Sequence, residues 1–294
     1  MYFGLNINHE RCYDGEFVWQ LCRTAEDLGF ESLWSGEHVV MPVGYRTAYP
    51  YSSDGRIGVG SHPITPDPIV ALTWAAAATT RVKLGTAVLI VPQRHPLMLA
   101  KELATLDSLC HGRLILGAGV GWLREEAEAL GTQWSSRGRR MDEYLAVLRQ
   151  VWTEDEASHH GDFVQFDAVT LDPRPSRPGG IPIIVGGHSP SAIRRAALFG
   201  NGFWPMAEPH ELPGMLEQLR REAEQAGRDP AEIEVTMYAP RDLADALVLA
   251  EMGVDRLVVW PLGYRDDLPG VRGRLERYRE RVMEPLIRAT LARS

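Results

Sequence analysis

Eight short apolar runs, each followed by a helix-periodic stretch, recur from one end of this 294-residue chain to the other. The strand-like runs lie near Tyr2–Asn8, Glu31–Ser35, Val82–Ala87, Arg113–Gly117, Ile181–Val185, Gly202–Pro205, Glu232–Tyr238 and Asp255–Trp260. Helical patterns follow at Gly15–Leu28, Asp67–Thr79, Pro96–Cys110, Gly138–Thr153, Pro190–Phe199, Pro209–Ala226, Asp242–Met252 and Pro269–Ala292. Such alternation is the pattern of βα units around a parallel sheet. A closed barrel of eight units needs about 250 residues, whereas an open sheet usually has fewer strands. The chain therefore reads as a single α/β domain over residues 1–294, a (β/α)8 TIM barrel. Two insertions interrupt the spacing, at about 40–66 after the second strand and about 154–180 after the fourth. The first, Val40–Pro66, is rich in Gly, Pro, Ser and Tyr and enters where barrels build their sites, so it is expected to form a lid or pocket wall. The second holds a hairpin-like run, His160–Phe166.

Composition narrows what such a barrel handles. A formal net charge of -8 disfavours general binding to nucleic acid. The longest apolar stretch, Ile69–Ala78, is too short to span a bilayer, and the first residues carry no export pattern. A cytoplasmic protein with a small-molecule substrate, and neither a nucleic-acid nor a membrane partner, is expected. Three scattered cysteines, Cys12, Cys22 and Cys110, form neither a disulfide framework nor a metal motif. His159 and His160 lie beside acidic residues without regular ligand spacing, so no metal site is predicted.

Functional groups of a barrel gather at the C-terminal ends of its strands. Here those ends carry Asn6 and Asn8, Glu37 and His38, Ala87 and Val88, Gly119 to Trp122, Gly186 to Ser189, Met206, Tyr238 and Trp260. The Gly186-Gly187-His188-Ser189-Pro190 turn suits an anion: paired glycines admit a ligand close to the backbone, and a helix start offers free N–H groups. An ordinary capped turn reads the same way. The hydrolase elbow Gly-x-Ser-x-Gly is disfavoured, because Pro190 has no N–H for an oxyanion. Glu37-His38 offers a neutral-pH proton acceptor beside a carboxylate, or else a histidine that merely caps its strand. Gly117-Ala-Gly-Val-Gly-Trp122 lacks the last glycine of a dinucleotide fingerprint, so Trp122 reads as a pocket or core residue.

With these residues placed, the chain resembles the luciferase-like oxidoreductases, and within them the branch using the deazaflavin coenzyme F420. The resemblance rests on Leu33-Trp-Ser-Gly-Glu-His38, Arg81-Val-Lys-Leu-Gly-Thr-Ala-Val-Leu89, Ala104 through Trp122, Arg139-Arg-Met-Asp-Glu-Tyr144 and the Gly-Gly-His-Ser turn. It implies an oxidoreductase moving a hydride between F420 and a small organic substrate. Flavin mononucleotide (FMN) occupies the same place in the superfamily, so the alternative is an FMN monooxygenase fed by a partner reductase. A phospho-ligand-binding barrel without catalysis is the reading from another class. The resemblance further implies a cofactor ring against Ala87-Val88, joined by a non-proline cis peptide, and Glu37 and His38 beside it, with His38 exchanging the proton. Gly186, Gly187, His188 and Ser189 would grip the phosphate, and Glu125 falls at a cofactor-contacting position. Asn6, Trp122, Tyr45 and Trp260 are expected around the substrate. Sugar-phosphate dehydrogenases of the family carry a glutamate where Trp122 stands, so their substrate does not transfer. A homodimer is also implied.

Overall fold

The computed structural model describes residues 1–52, 54–57, 65–260 and 265–292. Its strands are β1 (Tyr2–Asn6), β2 (Ser32–Ser35), β3 (Lys83–Thr86), β4 (Leu89–Ile90), β5 (Leu114–Gly119), β6 (Ala157–His160), β7 (Gln165–Val169), β8 (Ile183–Gly187), β9 (Gly202–Pro205), β10 (Glu234–Tyr238) and β11 (Arg256–Val259). Parallel neighbours run in the order β3-β2-β1-β11-β10-β9-β8-β5, and β3 pairs back onto β5, with Leu84 opposite Leu114, to close an eight-stranded barrel. The Ala87–Val88 peptide after β3 is cis, as the resemblance implied, and β4 then continues beside β5.

The helices are α1 (Gly15–Asp27), α2 (Pro68–Ala78), α3 (Pro96–Leu109), α4 (Arg124–Ala129), α5 (Arg137–Thr153), α6 (Pro190–Phe199), α7 (Leu212–Gln225), α8 (Leu243–Glu251), α9 (Leu268–Tyr278) and α10 (Glu284–Leu291). Their starts obey local chemistry. Asp67 accepts the N–H groups of Ile69 and Val70 at 2.9 and 3.0 Å, and Pro68 follows where a missing N–H is harmless. Two elements depart from the sequence reading. Residues Pro269–Ala292 form two helices joined by a π-helical turn over Arg279–Met283, because Pro285 has no N–H to continue the regular ladder. The six-residue α4 is too short to carry a legible period.

Trp34, Ile115, Ile184, Trp204 and Val258 fill the barrel interior. Trp34 fits because glycines flank it: a Cβ on Gly4 or Gly85 would run into its indole. The larger core lies between barrel and helices. α1, for example, turns Phe17, Val18, Leu21, Cys22 and Ala25 inward at helical spacing, and each large apolar side chain so buried contributes about 1.5–3 kcal/mol. At the N-terminal end of the barrel the fully buried Arg256 pairs with Glu31 at 3.1 Å and Glu234 at 3.1 Å, while Lys83 meets Glu31 at 2.7 Å.

In the first insertion, residues 53 and 58–64 lie outside those described. The second contains the antiparallel pair β6 and β7, with His159 opposite Phe166, a hairpin longer on both sides than its sequence signal. Among the described residues no helix is long and apolar enough to cross a membrane.

Candidate functional site

The C-terminal ends of the barrel strands open into one cavity of about 620 Å³. Asn6, Glu37, His38, Ala87, Val88 and Trp122 line one side of the strand order, and Gly186 to Ser189, Tyr238 and Trp260 the other. Two predicted site residues stand off its wall. Tyr45 packs behind Trp122, ring centres 5.5 Å apart. Glu125 turns to the first insertion, accepting from the Arg46 and Thr47 N–H groups at 2.7 and 3.2 Å and from the Thr47 hydroxyl at 2.6 Å. The Thr47 hydroxyl and these amides pull its carboxyl down to about 2. With its acceptor sites spent on the loop, it is a lid tether.

His38 sits at the end of β2 with its side chain 9% exposed. Its Nδ1 lies 3.0 Å from Oε2 of Glu126, a fully buried carboxylate whose Oε1 accepts from the Val39 and Val40 N–H groups at 2.7 and 3.3 Å. Trp122 Nε1 is 3.4 Å from His38 Nε2. An indole N–H only donates, so Nε2 presents its lone pair to Trp122, and the imidazole proton belongs on Nδ1, donated to Glu126. The ring is thus held in one orientation, Nδ1 on Glu126 and Nε2 under the Trp122 N–H on the cavity side.

The carboxylate serving His38 is therefore not the adjacent Glu37. Both residues lie in the loop just past β2, and Glu37 is taken by Arg94 and by the Ile90 N–H at 2.7 Å. Arg94 also reaches Asp67 at 2.7 Å. Burial pushes the Glu37 carboxyl upward against the pull of Arg94, while Glu37 and Asp67 hold the Arg94 guanidinium above its usual range despite its own burial. Glu37 lines the cavity as a fixed, ion-paired wall.

The opposite end is the glycine turn between β8 and α6. Gly187 has φ +139°, and an added Cβ there would lie 2.9 Å from Ala192 Cβ; at Gly186 it would meet Val88 Cγ1 at 2.8 Å. Only glycines leave this cradle open. Ser189 caps α6 by accepting from Ala192 N–H at 3.2 Å. Arg137, at the start of α5, stacks 3.6 Å over Trp134, and its buried Nε has no partner among the described residues. Burial draws its guanidinium below the usual arginine range, so it stands to gain from an anion. Arg195 also borders the cavity but is committed to Asp142 at 2.5 Å and the Gly138 carbonyl at 3.2 Å.

Between these ends run two series of rings. One crosses the mouth: His38 to Trp122 at 5.6 Å, Trp122 to Tyr49 at 5.0 Å, Tyr49 to Tyr51 at 5.3 Å, and Tyr51 to His188 at 5.2 Å. The other rises from the barrel floor: Trp34 to Trp204 at 5.1 Å, Trp204 to Tyr238 at 5.2 Å, and Tyr238 to Trp260 at 5.6 Å. The first insertion thus supplies a wall, through Tyr49 and Tyr51. Sequence reading missed Glu126, Arg94 and Arg137. Glu126 lies in an acidic run that looks solvated, and the one available hint was its place just past a strand end.

The chain matches the family described as luciferase-like monooxygenase over residues 13–271. It is 38% identical to an uncharacterized protein of Mycobacterium tuberculosis over 164 residues, 56% of this chain; the match spans only 58% of that relative's length. It is 30% identical to the F420-dependent glucose-6-phosphate dehydrogenase of Nakamurella multipartita over 244 residues, 80% of this chain and 66% of that one. Among solved structures it is similar to a coenzyme F420 dependent tetrahydromethanopterin reductase from Methanopyrus kandleri, with a TM-score of 0.77 and 18% identity over 97% of this chain and 99% of that one, a likeness of fold.

Proposed function

Because the chain belongs to the luciferase-like monooxygenase family, we propose that it is an F420-dependent oxidoreductase acting on a small organic substrate. The observation that carries this reading is the pairing, in one cavity, of an open glycine cradle beside Arg137 with a histidine held in one orientation by Glu126 and Trp122. The fit is physical. The cradle would be filled by any Cβ, and the buried Nε of Arg137 lacks the acceptor that a phosphate supplies. Gly186 to Ser189 and Arg137 would hold the phosphate, and Ala87, Val88 and Gly119 would back the ring.

When bound, F420 supplies a deazaflavin that exchanges a hydride with a substrate carbon. The chain manages the accompanying proton. His38 Nε2 takes it from a substrate hydroxyl, or returns it to a carbonyl oxygen, and Trp122 Nε1 yields that position as the oxygen arrives. Glu126 fixes the tautomer and stabilises the imidazolium that results. The ring arch keeps water from this pair. A homodimer, implied by the resemblance, is carried in the same proposal.

Anaerobic turnover tests it. Purified protein given F420 and a panel of alcohols should reduce the cofactor without oxygen. Substrate oxidation that requires reduced FMN, a reductase and oxygen would replace this reading with the monooxygenase one.

A further inference from the structure

The cavity is electrically lopsided. Its described cations, Arg137 and Arg195, both stand at the cradle end. The rest of the lining presents rings: Trp122 and Tyr49 from the arch, Tyr51 reaching across to His188, and Tyr238 and Trp260 from the facing wall. Charge there is already spent, since Glu37 is bound to Arg94 and the Ile90 N–H. The polar groups left there include the tyrosine hydroxyls, the buried Trp204 Nε1, which has no partner among the described residues, and the Asn6 amide. Asn6, 1% exposed, accepts the Asn8 N–H at 2.9 Å through Oδ1, which fixes its amide orientation, and its Nδ2 donates to no described residue. That end therefore offers a donor at Asn6 and, where Trp122 Nε1 gives way, an acceptor at His38 Nε2, between two aromatic walls.

We propose that this slot selects a neutral substrate with an aryl or comparably flat apolar group and one oxygen function, a ketone or secondary alcohol, and rejects phosphorylated, carboxylated and cationic compounds. The inference rests on the F420 reading in one respect, that the cofactor phosphate occupies the cradle and Arg137. An anion at the ring end would lose its hydration with no cation in return. The tyrosines there feel the same penalty: burial raises Tyr49 and Tyr238 and pushes Tyr51 up to about 12, so the slot resists negative charge. A cation finds ring faces but leaves the Asn6 donor without an acceptor. A neutral carbonyl or hydroxyl satisfies Asn6 Nδ2 or His38 Nε2 while its ring displaces water from the walls.

Calorimetric titration of the protein, with and without F420, using acetophenone, benzoate, phenyltrimethylammonium and glucose 6-phosphate compares neutral, anionic and cationic probes. Acetophenone should bind at least about tenfold tighter than each charged probe. Tyr49→Ala and Trp260→Ala should each weaken it about fivefold while leaving F420 affinity unchanged. A charged probe binding as tightly as acetophenone, or no acetophenone binding, overturns the proposal, and neither result depends on how the variants fold. F420 binding is read separately by quenching of its fluorescence. Its absence overturns the cofactor reading, while selectivity measured without cofactor still decides the slot.

Discussion

At His38, two partners that are remote from it in sequence set one proton. Trp122 can only donate, Glu126 is already receiving two backbone N–H groups, and the imidazole between them is left a single tautomer. His38→Ala should lower turnover about 100-fold or more with F420 affinity nearly unchanged. Glu126→Gln keeps the shape but puts an amide N–H against either Val39 or His38. Turnover should then fall about tenfold or more, again without loss of cofactor affinity, when rate and binding are measured on the same preparation. His38 and Glu37 were legible because both follow a strand that ends in Ser35-Gly36 before a long loop. The proton role of His38 was expected from the resemblance; what adjacency in sequence misjudged was its partner, since Glu37 is held by Arg94 and His38 by Glu126. Glu126 gave only the hint of its place past a strand end, because an Arg-Glu-Glu-Ala-Glu run looks solvated until the loop is folded over it.

Two elements define how the cavity is held. The β8–α6 turn was recognised from its own chemistry: paired glycines, an N-cap serine and a proline at the first helical position. Gly187→Ala places a side chain at φ +139° and closes the cradle against Ala192. It should weaken F420 binding at least about tenfold and cost about 1–3 kcal/mol of stability, measured by titration and by denaturant unfolding. The short helix α4 holds the insertion instead, with Glu126 tying its base and Glu125 its middle. Glu125 titrates near 2 in the folded chain against an ordinary 4.5. A depressed carboxyl contributes in full above about pH 4.5, and the contribution fades as pH falls toward 2. Protection of the Arg46 and Thr47 amides, measured against their intrinsic exchange at each pH, should therefore fall across that window in the native protein. Glu125→Ala should exchange fast at those amides throughout. Unchanged protection in the variant would remove the tether.

The whole barrel separates its tasks by end. Arg256, Glu31, Glu234 and Lys83 knit the N-terminal face, where removing one partner would strand a buried charge, whereas at the C-terminal face Arg137 Nε and Asn6 Nδ2 have no partner among the described residues. The eight strands and their closure were legible because hydrophobic period and turn chemistry agree along the chain. That the first insertion would wall the cavity was legible too; the ring contacts that do it, Tyr49 to Trp122 and Tyr51 to His188, were not, because no local pattern encodes contacts of that span. The most direct measurement is a fluorescence titration of the purified protein with F420 and, separately, with FMN. The account predicts that F420 binds and is quenched while FMN does not compete; tight FMN binding with no F420 binding would contradict it.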